Sequence, residues 1–144
     1  MLLRRVQDLV AGHHDAEVDD VADTLANGMR YYIRVNEQPR NRAELRLVVN
    51  AGSVLEDDDQ RGLAHFVEHM AFNGSKHFPK QEGIAFLQST GMHFGAHINA
   101  NTSFDQTVYE LHIPTDSPAI IDRSLLMLED WAQAVSFEPA EIDK

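Results

Sequence analysis

Apolar and polar residues alternate along this chain in a way that sets out its elements before any chemistry is considered. Leu45, Leu47 and Val49 alternate with Glu44, Arg46 and Val48, a period of two that predicts a half-buried strand. Thr107, Tyr109 and Leu111 alternate in the same way with Val108, Glu110 and His112, and residues 97–113 read as two strands. A β-rich run over residues 29–35 follows the turn signal Asn27-Gly28. Between these lie helical stretches. Residues 63–72 predict a helix that stops at Asn73-Gly74. Residues 80–90 predict a second, with Ile84 and Leu87 on one side and a stop at Gly91. Ser117-Pro118 opens a third, with Ser at the cap and Pro at the first position. Its apolar stripe is Ile121, Leu125, Leu128, Ala132 and Val135, widened by Met127 and Trp131. A fourth helix is expected from Pro139. The pattern is that of an α+β domain in two layers, with four strands in a mostly antiparallel sheet and helices packed on one face.

At 144 residues the chain has the size of one ordinary domain. It is 43% hydrophobic and 24% charged, which suits a packed core. A net charge of −11 gives a surface that repels nucleic acid and anionic lipid, so no nucleic-acid partner is expected. No run approaches the ~20 apolar residues of a membrane span. The absence of cysteine excludes disulfides and thiolate metal sites and leaves the compartment open. The opening "MLLRRVQDLVAG" is too short and too quickly polar for a signal peptide. Residues 1–24 are expected to be a flexible lead-in, with His13 and His14 at the surface, and residues 25–144 the domain proper. "EDDDQRG" lacks the alternating Asp/Asn and sixth-position Gly of a calcium loop, and reads as a solvated loop.

The chemistry concentrates in "GLAHFVEHMAFNGS", residues 62–75. On a helix, residues four apart share a face, so His65 and His69 can aim their imidazoles at one point. Neutral imidazole is a natural zinc ligand, and catalytic zinc usually takes three protein ligands and keeps one open position. Glu68 lies beside that face, where a carboxylate could accept a proton from a water whose pKa zinc has lowered towards ~7. The order H-x-x-E-H is the inverted zincin signature. Alone it leaves a plain alternative open: two histidines four apart by accident, one in the core and one at the surface.

The surrounding sequence resembles the pitrilysin/insulysin family of zinc metallopeptidases. "NGMRYYI" is similar to the family's opening strand and "NAGSVLED" to its second strand and the turn after it. "GLAHFVEHMAFNGS" resembles its metal helix, and "INANTSFDQTVYEL" its Asn-Ala-x-Thr edge strand and the strand that follows. The match runs from about Leu25 to Lys144. It implies a fold like that of the mitochondrial processing peptidases, and Zn²⁺ held by His65 and His69 with Glu68 as general base. It also implies a substrate strand at Asn99, Ala100 and Asn101, for which a turn role at Asn99 is the alternative. The implied activity is zinc-dependent endoproteolysis of extended peptides or unfolded proteins. In the family the third ligand is a glutamate that the match places beyond Lys144, with Glu141 the nearest candidate here but early in its segment. A second homologous half or subunit closes over the substrate. The resemblance therefore implies an N-terminal metallopeptidase domain, incomplete at its C-terminal end and inactive by itself. It favours a periplasmic location for the parent protein, since the large bacterial members are periplasmic. The alternative is a non-catalytic peptide-binding or scaffolding domain of the same fold.

Overall fold

A computed structural model describes residues 21–36 and 38–142 of the chain. Two short strands come first, β1 (Val21–Thr24) and β2 (Arg30–Ile33), followed by β3 (Arg42–Val49) and a single 3-10 turn at Ser53–Leu55. Helices α1 (Leu63–Asn73) and α2 (Glu82–Ser89) precede strands β4 (Ile98–Thr102) and β5 (Thr107–Pro114). The long helix α3 (Pro118–Gln133) and one turn of α4 (Pro139–Ile142) complete the order.

The main sheet is antiparallel with strand order β3-β5-β4. The alternation seen in sequence is its pleat. Along β5 the side chains of Thr107, Tyr109, Leu111 and Ile113 are buried, while Val108, Glu110 and His112 are only half-buried. Along β3, Leu45, Leu47 and Val49 point inward and Glu44, Arg46 and Val48 outward. The helices cover the inner face: α3 packs on β5 and β3, and α1 on β4 and β5. Between the layers sit Leu87, Met92, Ile98, Leu111 and Ile113, all without solvent exposure, with Ile121, Met127 and Trp131 from α3. This is the expected two-layer α+β arrangement.

Four details differ from expectation. The sheet has three strands, because β2 pairs with β1 in a separate hairpin, Val21 opposite Ile33 and Thr24 opposite Arg30. The Asn27-Gly28 turn closes that hairpin locally, with the Gly28 amide donating to the Leu25 carbonyl at 2.9 Å. The loose segment expected through residue 24 therefore gives way to a strand at Val21; its first twenty residues, His13 and His14 among them, lie outside the described residues. Helix α2 begins at Glu82, since Lys80 holds a left-handed backbone (φ 55°) that cannot open a right-handed helix. On α3 the buried face runs through Ile121, Ser124, Met127, Leu128 and Trp131, and Ala132 is exposed. The indole offers far more apolar area than a methyl group and takes the core position. Ser117 does occupy the cap of α3, but its side chain makes no capping hydrogen bond.

A buried carboxylate ties the segment after α1 to the end of α3. Asp130, 1% exposed, accepts hydrogen bonds from Ser75 Oγ (2.6 Å) and the His77 amide (2.7 Å), and its other oxygen lies 2.8 Å from His77 Nδ1. The segment that follows α1 is thereby latched to the end of α3, with the Lys76 amide donating to the Ala134 carbonyl beside it. Burial alone would raise the Asp130 pKa. The hydrogen bonds from Ser75 and His77 and the nearby His77 ring outweigh it, and the net shift is downward. A carboxyl depressed in the folded state stabilises the fold above its unfolded pKa of ~3.9 and loses that contribution as pH falls through the lower folded value. Asp130→Asn should therefore melt below wild type at neutral pH, and the gap should narrow below about pH 4. Thermal melts between pH 7 and 2 read this directly; a gap constant with pH would show that the latch does not titrate with unfolding.

Candidate metal centre

Two devices fix the start of α1. Gly62, immediately before it, holds φ 92°, a conformation that L side chains rarely adopt. The Glu56 carboxylate reaches across the helix N-terminus and accepts the amides of Gly62 (2.7 Å) and Ala64 (2.8 Å). These two bonds satisfy donors that a helix start leaves orphaned, and they lower the Glu56 pKa, the Ala64 amide most. Glu56 is held in place by the 3-10 turn, which docks on the β4–β5 connection: the Val54 amide donates to the Phe104 carbonyl at 2.8 Å. Gly52 permits that approach, since a Cβ there would stand 2.4 Å from the Ser103 carbonyl oxygen. The loop read as merely solvated thus contains the clamp for the helix.

From this start α1 presents His65 and His69 one turn apart, both exposed, with their Nε2 atoms 3.0 Å from each other. A tetrahedral zinc with bonds of about 2.0–2.1 Å holds two nitrogens roughly 3.3 Å apart. A small adjustment of either ring would meet that spacing, and both rings already offer the same nitrogen to the same point. Ligand atoms of His65, Glu68 and His69 all lie within 4.8 Å of one another. The donors fit zinc: two imidazole nitrogens that can act as ligands, with the Glu68 carboxylate beside them. Among the described residues no other cluster of three or more such side chains is found. Glu141, weighed as a further ligand, lies in α4 and is not part of it.

Glu68 differs from its neighbours in burial. It is 8% exposed and faces the sheet. Its Oε2 accepts a hydrogen bond of 2.5 Å from Thr102 Oγ1, at the end of β4. Thr102 stands opposite Thr107 at the mouth of the β4–β5 turn, and the Thr107 hydroxyl donates to the Ala51 carbonyl at 2.9 Å. Tyr109 is also close: burial first, and the charge of Glu68 second, push its phenol up to about 12. The phenol therefore stays protonated at any working pH. Thr102, Glu56 and Tyr109 were not singled out as site residues by sequence. Each acts through tertiary contacts that no spacing along the chain announces.

An open cleft of about 370 Å³ lies beside the His69 imidazole, lined by Glu68, His69, Phe72, Phe94, Asn99 and Ala100 among others. Of the three residues expected on a substrate strand, Asn99 and Ala100 reach this cleft, and Asn101 is exposed and is not among its lining residues. The Asn99 amide group also donates to the Gly95 carbonyl at 3.0 Å, so the turn role is present as well. Strand β4 is an edge of the sheet. His112 donates to His97 on one side of the β4–β5 ladder and Ser103 to Gln106 on the other. In an antiparallel pair, hydrogen-bonded positions alternate, so Asn99 and Asn101 bond to β5 while Ile98, Ala100 and Thr102 direct their backbone groups outward. Ile98 is covered there by the Gly95 amide. The next outward position is Ala100.

Known proteins are similar to this chain in sequence and fold. The sequence model of the insulinase family, peptidase family M16, matches residues 31–144. The chain is 43% identical over 119 residues to a probable zinc protease PqqL of Haemophilus influenzae, covering 83% of this chain and 13% of that protein. Among solved structures, the first half of the periplasmic protease PqqL from Escherichia coli superposes with a TM-score of 0.83 at 38% identity, covering 86% of this chain and 26% of that one. The ferredoxin protease FusC, solved with Arabidopsis ferredoxin, gives a TM-score of 0.76 at 32% identity over 87% of this chain and 14% of its own. The chain thus spans about an eighth of the length of the curated relative it matches. A family match over most of its length, and the same fold at more than 30% identity, place this chain in the insulinase family of peptidases.

Proposed function

We propose that this chain is a zinc-dependent endopeptidase domain whose metal ligands are His65 and His69 and whose general base is Glu68. The observation that carries the reading is the convergence of two Nε2 atoms, 3.0 Å apart, beside a buried and hydrogen-bonded carboxylate. Zinc bound there would supply a Lewis acid that makes water acidic near neutral pH. Glu68 would take the proton of that water as it attacks the peptide carbonyl, and the cleft along Phe72 and Phe94 would hold the flanking side chains. Names of relatives support zinc and proteolysis, and the FusC complex supports protein substrates.

Extended substrates would add to the outer edge of β4 by main-chain hydrogen bonds, a mode that would accept many sequences. Ala100 is the middle of the three positions whose backbone faces that edge. Ala100→Pro removes the outward donor without touching the bonds to β5. It should raise KM several-fold for unrelated peptides alike. KM values unchanged across a panel would rule out the edge-strand mode.

The whole protein would bring a third ligand and a second homologous half that closes over the substrate and excludes water. A periplasmic location is supported by the solved relative, and no helix among the described residues is long and apolar enough to cross a membrane. By itself the 144-residue chain would bind zinc weakly and cleave little, since its described residues offer two imidazole ligands, with Glu68 assigned as the base, where catalytic zinc takes three protein ligands. Calorimetric zinc titration beside a quenched-peptide assay tests this. Tight, stoichiometric zinc with chelator-sensitive cleavage by the isolated chain would show that the chain holds a complete site.

A further inference from the structure

We propose that Thr102 is a positioning residue that fixes which oxygen of Glu68 acts as the base. This rests on the reading of Glu68 as general base. Thr102 Oγ1 donates to Glu68 Oε2 at 2.5 Å, from the last residue of β4 to the inner side of α1. Among the described residues Oε1 takes part in no hydrogen bond, and the side chain lines the cleft. One carboxylate oxygen is thus anchored to the sheet and the other is left for the reacting water. Without the anchor the carboxylate could rotate about its last torsion, a broad and nearly two-fold one, and either oxygen could turn towards the sheet.

The anchor is itself held. Thr102 pairs with Thr107, whose hydroxyl is 3.4 Å from Thr102 Oγ1 and bonds to the Ala51 carbonyl. The neighbouring Ser103 carbonyl accepts the Ser53 amide at 3.2 Å, across the contact that Gly52 makes room for. Thr102 also belongs to the set of β4 residues whose backbone faces the free edge and whose side chain faces α1. The strand proposed to receive the peptide therefore carries, two residues from Ala100, the hydroxyl that orients the base. Base and bound peptide are referenced to the same five-residue strand, and that fixes the distance between the proton acceptor and the scissile carbonyl.

The test uses the intact protein that contains this chain, with Thr102→Val, Thr102→Ser and Glu68→Gln, alone and in combination. Valine keeps the shape and β-branching of threonine and removes the donor. Thr102→Val should lower kcat on the order of 10-fold or more with KM within about twofold and zinc content unchanged. Thr102→Ser, which restores the hydroxyl, should recover most of the loss. Thr102→Val added to Glu68→Gln should cost nothing further, because both act on one proton transfer. Wild-type kcat in Thr102→Val, with Glu68→Gln inactive, overturns the positioning role and leaves the base assignment standing. Wild-type kcat in Glu68→Gln overturns both. Equal losses in the Val and Ser variants, with a lowered melting temperature, would assign Thr102 to packing and overturn the proposal.

Discussion

Glu68→Gln should abolish peptide hydrolysis by the intact protein and leave its zinc in place. Glutamine matches glutamate in size and can still accept the Thr102 hydrogen bond through its amide oxygen, so the fold around α1 has no reason to change. What it cannot do is take a proton from water. General-base catalysis is worth ~10²–10⁴ in rate, and the loss should fall on kcat with KM nearly unchanged, because the group acts only in the transition state. Removal of the carboxylate charge near the imidazoles should weaken zinc only slightly, since the ligands themselves remain. Steady-state kinetics on a quenched peptide, with metal content measured on the same sample, check both halves. Near-normal turnover in the Gln variant would show that Glu68 is not the general base; absence of hydrolysis by the intact wild-type protein with zinc bound would instead return the chain to the alternative reading, a domain that binds peptides through the same fold without cutting them.

His65→Ala should produce the opposite signature: the metal goes, and the activity with it. One imidazole would remain where two converge, and loss even of a residue that only orients a ligand costs ~10–100-fold in metal affinity. Loss of a direct ligand should exceed that. The side chain of His65 is exposed and packs edge-on against His69, ring centroids 4.5 Å apart. Alanine is also the better helix former. The metal-free variant should therefore fold as well as metal-free wild type, and circular dichroism with thermal melting should show no loss. Retained stoichiometric zinc in His65→Ala would remove this residue from the ligand set.

The contrast between these two residues also shows how far the sequence could be read. His65 and His69 are legible because a helix fixes the geometry between residues four apart, so their spacing allows convergence and the surrounding resemblance selects it over an accidental pair. The strands β3 and β5 are legible for the same kind of reason: a pleat turns alternation directly into burial, as at Leu45 to Val49 and Thr107 to Leu111. Other features depend on tertiary neighbours. Thr102 is one polar residue at a strand end until β4 lies against α1. Glu56 belongs to an acidic loop until the chain folds back so that its carboxylate meets the Gly62 and Ala64 amides. The edge position of β4 follows from strand order, and the outward direction of Ala100 from the phase of its ladder. Neither leaves a periodicity in the sequence. The separate β1–β2 hairpin was hidden because the acidic residues before it read as unstructured, while its pairing is made locally across Asn27-Gly28.

The central claim is that His65 and His69 together hold zinc beside Glu68. X-ray absorption at the zinc edge, recorded on the intact protein and on the His65→Ala, His69→Ala double variant, tests it most directly. Wild type should show nitrogen ligands at about 2.0–2.1 Å with the outer-shell scattering of two imidazoles, and the double variant should hold no stoichiometric zinc. A double variant that binds one zinc per chain with an unchanged imidazole pattern would place the metal elsewhere and contradict the account.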